Sequence, residues 1–151
     1  MSDQTIAVLH DLIQLNHDGR RDFNAAADAV QGSEIRHLLL EGLGRCRDAA
    51  SELEVLMRHL GAEPPTDGTV GGALQRGWRE VKSVVAPHSD ITILEDCERA
   101  ESAACDAYRD ALDEDVLFDV RIVIERQYQA ALSNHGKLRL LLDSLTLPML
   151  G

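Results

Sequence analysis

Aromatic residues are almost missing: one Trp, two Tyr and two Phe make up 3% of 151 residues. A core cannot then rest on large rings. It has to be assembled from Leu, Ile, Val and Ala, which suits closely packed helices. Cysteine is scarce too. Cys46, Cys97 and Cys105 form an odd set with no Cys-x-x-Cys pair, which excludes a disulfide framework and a zinc knuckle. All three fall among Ala and Leu in helical patterns, as small buried hydrophobes do. No apolar run reaches the ~18 residues that span a bilayer. The start, Met1-Ser2-Asp3-Gln4, lacks a basic stretch followed by an apolar one, so no signal peptide is expected. No segment alternates with period two, so no sheet is expected. Positive charge is in deficit, with 15 Lys and Arg against 26 Asp and Glu. The net charge of −11 repels phosphate backbones and anionic lipids, so neither nucleic acid nor membrane is expected as a partner. It suits a cytoplasmic protein.

What remains is a chain that is 44% hydrophobic, enough for a core. Its length is that of one domain, residues 1–151. Apolar residues recur at alternating spacings of three and four, the signature of helical stripes. The first stripe runs Ile6, Leu9, Ile13, Asn16, Arg20, Phe23, Ala27, Val30. The second runs Ile35, Leu39, Gly42, Cys46, Ala49, Leu53, Leu56, Leu60. The boundaries predict helices at about 2–30, 34–60, 73–85, 91–112 and 116–145. Gly32 is expected to take a left-handed cap, Ser33 to cap the second helix, Gly61 to close it, and Ser89 or Asp90 to cap the fourth. The stretch 68–72 is glycine-rich but lacks the Lys and the preceding strand of a phosphate loop. Short links between helices one and two, and four and five, make each pair an antiparallel hairpin. Two hairpins joined by a crossover carrying a short helix make an all-α, antiparallel four-helix bundle.

The unusual positions lie on the fourth helix. Its stripe is Ile91, Leu94, Glu98, Glu101, Cys105, Tyr108, Leu112, with two carboxylates where Leu would be expected. A buried carboxylate needs a partner or a proton. The fifth helix carries Gln127 and Asn134 on its seam, with His135 beside it. Counting back from a tight turn near Glu114 sets Glu101 level with Gln127 and Glu98 near Ala130.

Two readings follow. Helix bundles hold di-iron or di-manganese centres with carboxylates from facing helices, usually with Glu-x-x-His pairs. Glu98, Glu101, Gln127, Asp18 and His135 are the candidate ligands, and Fe or Mn the candidate metal. The one Glu-x-x-His, Glu34 to His37, lies at the end of the bundle instead. The rival reading is a buried hydrogen-bonded network, with Arg45 level with Glu98 and Glu101 if helices two and four run parallel. An Arg there neutralises the carboxylates and excludes a dication. His10 and His17 stand seven residues apart, about 10 Å, too far for one metal. No catalytic or organic-cofactor set stands out.

Several stretches carry a resemblance. They are Arg58-His59-Leu60-Gly61-Ala62-Glu63; Gly68 through Arg76-Gly77-Trp78 to Lys82; Leu94 to Glu101; Tyr108-Arg109-Asp110-Ala111-Leu112; and Glu125-Arg126-Gln127-Tyr128 leading to His135. In these the chain resembles a group of bacterial ferritin-like four-helix-bundle proteins known as a domain of unknown function. Members of that group often carry His where Gln75 stands. The resemblance implies a ferritin-like fold and a stress or iron connection, and no established reaction.

The function expected is therefore non-enzymatic: a stress-associated or partner-binding bundle, forming homodimers or engaging another protein, with a buried polar network. The competing expectation is a dinuclear iron or manganese protein that handles iron, oxygen or peroxide. A thiol-based sensor is a third, which would need an exposed thiolate.

Overall fold

A computed structural model describes residues 2–66 and 89–147. The expected helix at 73–85, the glycine-rich loop at 68–72, Gln75 and Trp78 lie outside the described residues. Within them the chain forms four helices and no strand: α1 (Ser2–Ala29), α2 (Ser33–His59), α3 (Asp90–Leu112) and α4 (Phe118–Thr146). At 1.5 Å per residue they are about 35 to 44 Å long. They assemble as an all-α four-helix bundle. No helix among the described residues is long and apolar enough to cross a membrane.

The helices form because each carries a continuous apolar stripe, and burying that stripe holds them. Two apolar clusters fill the bundle. One, around Phe23, Val30, Leu39, Leu94 and Leu138, lies toward the α1–α2 turn. The other, around Leu9, Ile13, Leu53, Tyr108 and Ile124, lies toward the opposite end. Each fully buried Leu or Ile contributes about 1.5 to 3 kcal/mol.

The α1–α2 contact is the tightest, and two glycines make it so. A Cβ on Gly42 would stand 2.8 Å from the Phe23 ring, and one on Gly19 would stand 2.8 Å from Cys46 Sγ. Gly19 therefore costs helix propensity but admits Cys46, so packing compensates the interruption visible in the sequence. At the end of α2, Gly61 has φ +83°, a left-handed cap that only glycine takes without strain.

The α1–α2 turn differs from expectation. Gly32 is extended (φ −72°, ψ 134°) and is itself the N-cap of α2, with Ser33 the first helical residue. Its amide donates to Asp90 Oδ2 at 2.8 Å, and the Gln31 amide donates to Asp90 Oδ1 at 2.9 Å. A carboxylate from the neighbouring helix thus does the work expected of a local cap. Ser89 caps α3, its Oγ accepting from the Thr92 amide at 3.2 Å.

The two hairpins repeat the same devices at an offset of 85 residues, with one carbonyl acceptor, Val30 against Glu114, a residue out of step. Thr5 Oγ1 accepts from the amide of Leu117, as Asp90 accepts from that of Gly32. Arg36 donates to the carbonyls of Ala27 and Val30, closing the end of α1. Arg121 does the same for Leu112 and Glu114 at the end of α3. Leu117, like Gly32, is an extended N-cap without a side-chain bond of its own. The bundle is pseudo-twofold, and Glu101 stands at the position equivalent to Asn16.

Candidate functional site

Between the two apolar clusters lies a layer of polar side chains drawn from all four helices. Glu101, on α3, is its centre. It stands on the seam where Leu would be expected and is 2% exposed. Arg45, on α2, pairs with it through both oxygens: Nη2 to Oε1 at 2.6 Å and Nε to Oε2 at 3.0 Å. This fork-to-fork geometry is the strongest form of ion pair. Asn134 Nδ2, on α4, also donates to Oε2 at 2.5 Å. Arg45 extends the layer to α1, with Nη1 3.5 Å from Asn16 Oδ1.

From Asn16 the chain of bonds continues toward the second cluster. Asn16 Nδ2 donates to the Tyr108 hydroxyl and to the Leu12 carbonyl, both at 2.8 Å. The Tyr108 hydroxyl donates to Gln127 Oε1 at 2.8 Å. Gln127 Nε2 donates to Glu52 Oε1 at 2.7 Å and to the Ala49 carbonyl at 3.3 Å. Glu52 then meets Arg126 at the surface. The result is one hydrogen-bonded path from Asn134 to Arg126 through the interior.

The environment tunes these groups. Burial opposes the charge on Arg45, yet negative charge at the Cys46 sulfur, once that thiol ionises, and at the Glu101 carboxylate holds its pKa above the ordinary value. Burial pushes the Tyr108 phenol up to about 12. It pushes Cys46 up to about 12 and Cys105 up to about 11, and raises Cys97 as well. Thiols held that way are protonated and unreactive at neutral pH, and all three are buried. Burial raises the Glu52 carboxyl, but hydrogen bonds from Arg126 and Gln127 outweigh it and bring it below the usual range.

The sequence-derived ligand candidates do not all meet at one point, although Asp18 and Glu101 line one cavity between α1 and α3. Glu101 and Gln127 belong to the same path but are separated in it by Arg45, Asn16 and Tyr108. Glu98 turns away from Glu101. Its Oε1 lies 3.0 Å from His135 Nε2 and 3.7 Å from Arg139 Nη1, at the edge of the α3–α4 seam. Asp18 pairs with Arg21 on its own helix at 2.8 Å. Among the described residues no group of three or more His, Cys, Asp or Glu is placed to hold a metal ion. A dinuclear centre needs several carboxylates facing one point. Here the deepest carboxylate already faces a guanidinium and an amide donor, so this donor set does not fit one.

Register explains part of the difference. Glu101 sits opposite Asn134, and Tyr108 opposite Gln127, two turns from the expected pairing. The turn is not tight at Glu114. Val116 is tucked into the core and α4 begins only at Phe118, which moves the centre of the hairpin toward Leu117. The buried side of α3 also lies toward Cys97, Ala104 and Ala111, which leaves Glu98 on its flank. Sequence reasoning missed Glu52 and Tyr108 as members of the path. A phenol on a seam otherwise poor in aromatics was the available signal.

A cavity of about 220 Å³ lies against the layer, between α1 and α3. Leu15, Phe23, Cys97 and Ala104 line it, and the Arg45–Glu101 pair forms part of its wall.

A family model described as "Domain of unknown function (DUF2383)" matches residues 4–114. No curated protein matches the chain. Among solved structures, a conserved hypothetical protein, rv2844, from Mycobacterium tuberculosis aligns with a TM-score of 0.75 at 13% identity, over 93% of this chain and 98% of that one. A two-domain protein from Anabaena variabilis ATCC 29413, containing DJ-1/ThiJ/PfpI-like and ferritin-like domains, aligns with a TM-score of 0.75 at 11% identity. That match covers 94% of this chain and 36% of the other. A candidate spore coat protein from Bacillus halodurans C-125 aligns with a TM-score of 0.75 at 15% identity, over 94% and 87%. At such identities the likeness is one of fold, and the fold is ferritin-like.

Proposed function

Because the chain belongs to the DUF2383 family, which is defined without an activity, we propose its role from geometry: a non-enzymatic helical module that acts by binding a partner. Its interior is closed by an ion pair where di-metal helix bundles hold their ions. The observation that carries this reading is the two-point contact of Arg45 with Glu101 inside the bundle. A guanidinium there supplies the positive charge that a dication would otherwise supply. The layer is then neutral and rigid without a cofactor, and its use is to fix how the two hairpins dock. The acidic surface suits a cytoplasmic setting and a partner other than nucleic acid or an anionic membrane.

Elemental analysis of protein purified without chelator tests it. The module reading expects well below one iron or manganese per chain, and a melting midpoint unmoved by chelator. One or two equivalents of metal, lost on Glu98→Ala plus Glu101→Ala, would establish the dinuclear reading in its place.

A further inference from the structure

The outward side of α4 carries a second apolar stripe, opposite the one it buries. Phe118, Ile122, Leu140 and Leu147 are each half to three-quarters exposed, and Leu132 is 38% exposed. At 3.6 residues per turn these five fall within an arc of about 80°, which they share with Gly136 and the polar Glu125, Gln129 and Asp143. They run the whole length of a 29-residue helix, about 43 Å. Scattered exposed apolar residues are ordinary, but an aligned stripe is the mark of an interaction face.

Gly136 lies on the same stripe, one turn from both Leu132 and Leu140. A Cβ there would meet nothing within 4 Å among the described residues. A mid-helix glycine costs about 1 kcal/mol relative to Ala. Gly19 and Gly42 recover that cost in close packing within the chain, whereas the notch at Gly136 opens outward. A second helix laid on the stripe would fill it.

The pattern of the stripe also selects the occupant. It is nearly palindromic about Leu132. Ile122 and Leu140 lie ten residues before it and eight after, and Phe118 and Leu147 fourteen before and fifteen after. Glu125 and Arg139 lie seven before and seven after. Such a face is complementary to itself when one copy is turned end for end, as a twofold interface requires. The turn brings Phe118 of each copy to within one residue of level with Leu147 of the other, and Ile122 to within two of Leu140. It also sets Glu125 of each copy opposite Arg139 of the other, which favours this pairing over a parallel one. Arg139 is 57% exposed and lies 3.5 Å from Asp143 and 3.7 Å from Glu98 of its own chain, so it sits at the rim.

We propose that α4 is the dimer face of this protein, pairing antiparallel with α4 of a second copy about a twofold axis near Leu132. This names the partner for the binding-module reading. It rests on the outer surface and not on the metal question. Two helices of this length in contact bury on the order of 1,000 Å² in total, the small end of specific interfaces, so association is expected in the micromolar range.

Sedimentation velocity of the full chain, from about 5 to 200 µM, should show a monomer–dimer equilibrium in that range. Leu140→Glu should weaken association at least tenfold while leaving the helical content and melting midpoint of the monomer intact. Leu132→Cys should form an inter-chain disulfide under mild oxidation, because the axis brings the two Cα atoms within about 7 Å. Val55→Cys, on the exposed side of α2, should not. A chain that stays monomeric throughout, a dimer indifferent to Leu140→Glu, or cross-linking at position 55 in preference to 132 would each overturn the proposal. None of these outcomes changes the metal content, so the two readings fail separately.

Discussion

Consider removing one half of the buried ion pair. The Glu101 side chain is 1% exposed and that of Arg45 is 11% exposed, so neither charge can turn to water when its partner is lost. Arg45→Leu leaves a carboxylate whose one remaining partner among the described residues is Asn134. Breaking a buried pair in this way costs about 3 to 5 kcal/mol. Glu101→Gln keeps the shape but leaves the guanidinium unneutralised, and about 3 kcal/mol is expected. Domains of this size are stable by about 5 to 15 kcal/mol, so both single variants should still fold in buffer. Replacing both partners by apolar groups of similar volume, Arg45→Met with Glu101→Leu, removes the desolvation penalty along with the attraction. The double variant also strands Asn134 and Asn16, at about 1 to 3 kcal/mol for each group left unsatisfied. Its total should still fall well short of the sum of the single changes. Urea melts followed by the helical signal at 222 nm supply the four corners of the cycle. Single changes costing under about 0.5 kcal/mol, or costs that simply add, would refute the claim that this pair is buried and coupled.

Leu94 and Leu138 are wholly buried, so Leu94→Ala or Leu138→Ala should cost about 2 to 5 kcal/mol; a loss below about 0.5 kcal/mol in denaturant melts would take them out of the core. Gly42→Ala gains up to about 1 kcal/mol of helix propensity but drives a methyl to 2.8 Å from the Phe23 ring. Overpacking of about 1 to 3 kcal/mol should win, so the variant should melt lower than the native chain, and a higher midpoint would contradict the close α1–α2 contact. The Glu52 carboxyl is held below its usual range in the folded state, so its contribution is present above the ordinary carboxylate pKa and lost as pH falls through the folded value. Because Glu52 is partly exposed, Arg126→Ala should lower stability at pH 7 by under about 1 kcal/mol. The difference from the native chain should shrink as pH falls below about 4, and one that persists unchanged at pH 2 would rule out the Glu52 contact as its source.

The architecture was legible because helical periodicity and Gly and Pro punctuation are both local signals. Ile35, Leu39, Cys46, Ala49 and Leu53 can be read as one face without knowing anything else about the chain. The depth of Glu101 was legible for the same reason. Register was not. It depends on how many residues the α3–α4 turn consumes, and Val116 looked like the first residue of a helix when it is a plug beneath the turn. That error placed Gln127 beside Glu101, whereas Tyr108 is the group that reaches it. Glu98 illustrates a second limit. Spacings of three and four fit two neighbouring columns of a helix equally well, and the column holding Cys97 and Ala104 is the buried one. The conformation of Gly32 was out of reach as well, because the acceptor that sets it, Asp90, lies 58 residues away.

The repeat at an offset of 85 residues shows what separates this layer from a symmetric metal site. Caps, turns and helix ends match between the hairpins, yet the equivalent interior positions differ: Asn16 in the first and Glu101 in the second. A centre built with twofold symmetry would take a carboxylate from both. Here one half offers an amide, and Arg45 supplies the compensating charge from α2 without a counterpart, since Ala130 stands at the matching point of α4. Arg45 balances Glu101 inside the layer and Arg126 balances Glu52 at its outer end, with neutral amides and a phenol between them, so on the proposed reading the path offers no net charge to a metal. Changing Asn16 alone to Glu would add an unbalanced anion beside the pair, and changing Arg45 alone to Glu would bury two anions against each other. Either change is destabilising until both are made and a cation is bound. On the proposed reading the interior is a stable alternative to a metal centre, and no single substitution leads from one to the other without loss of stability.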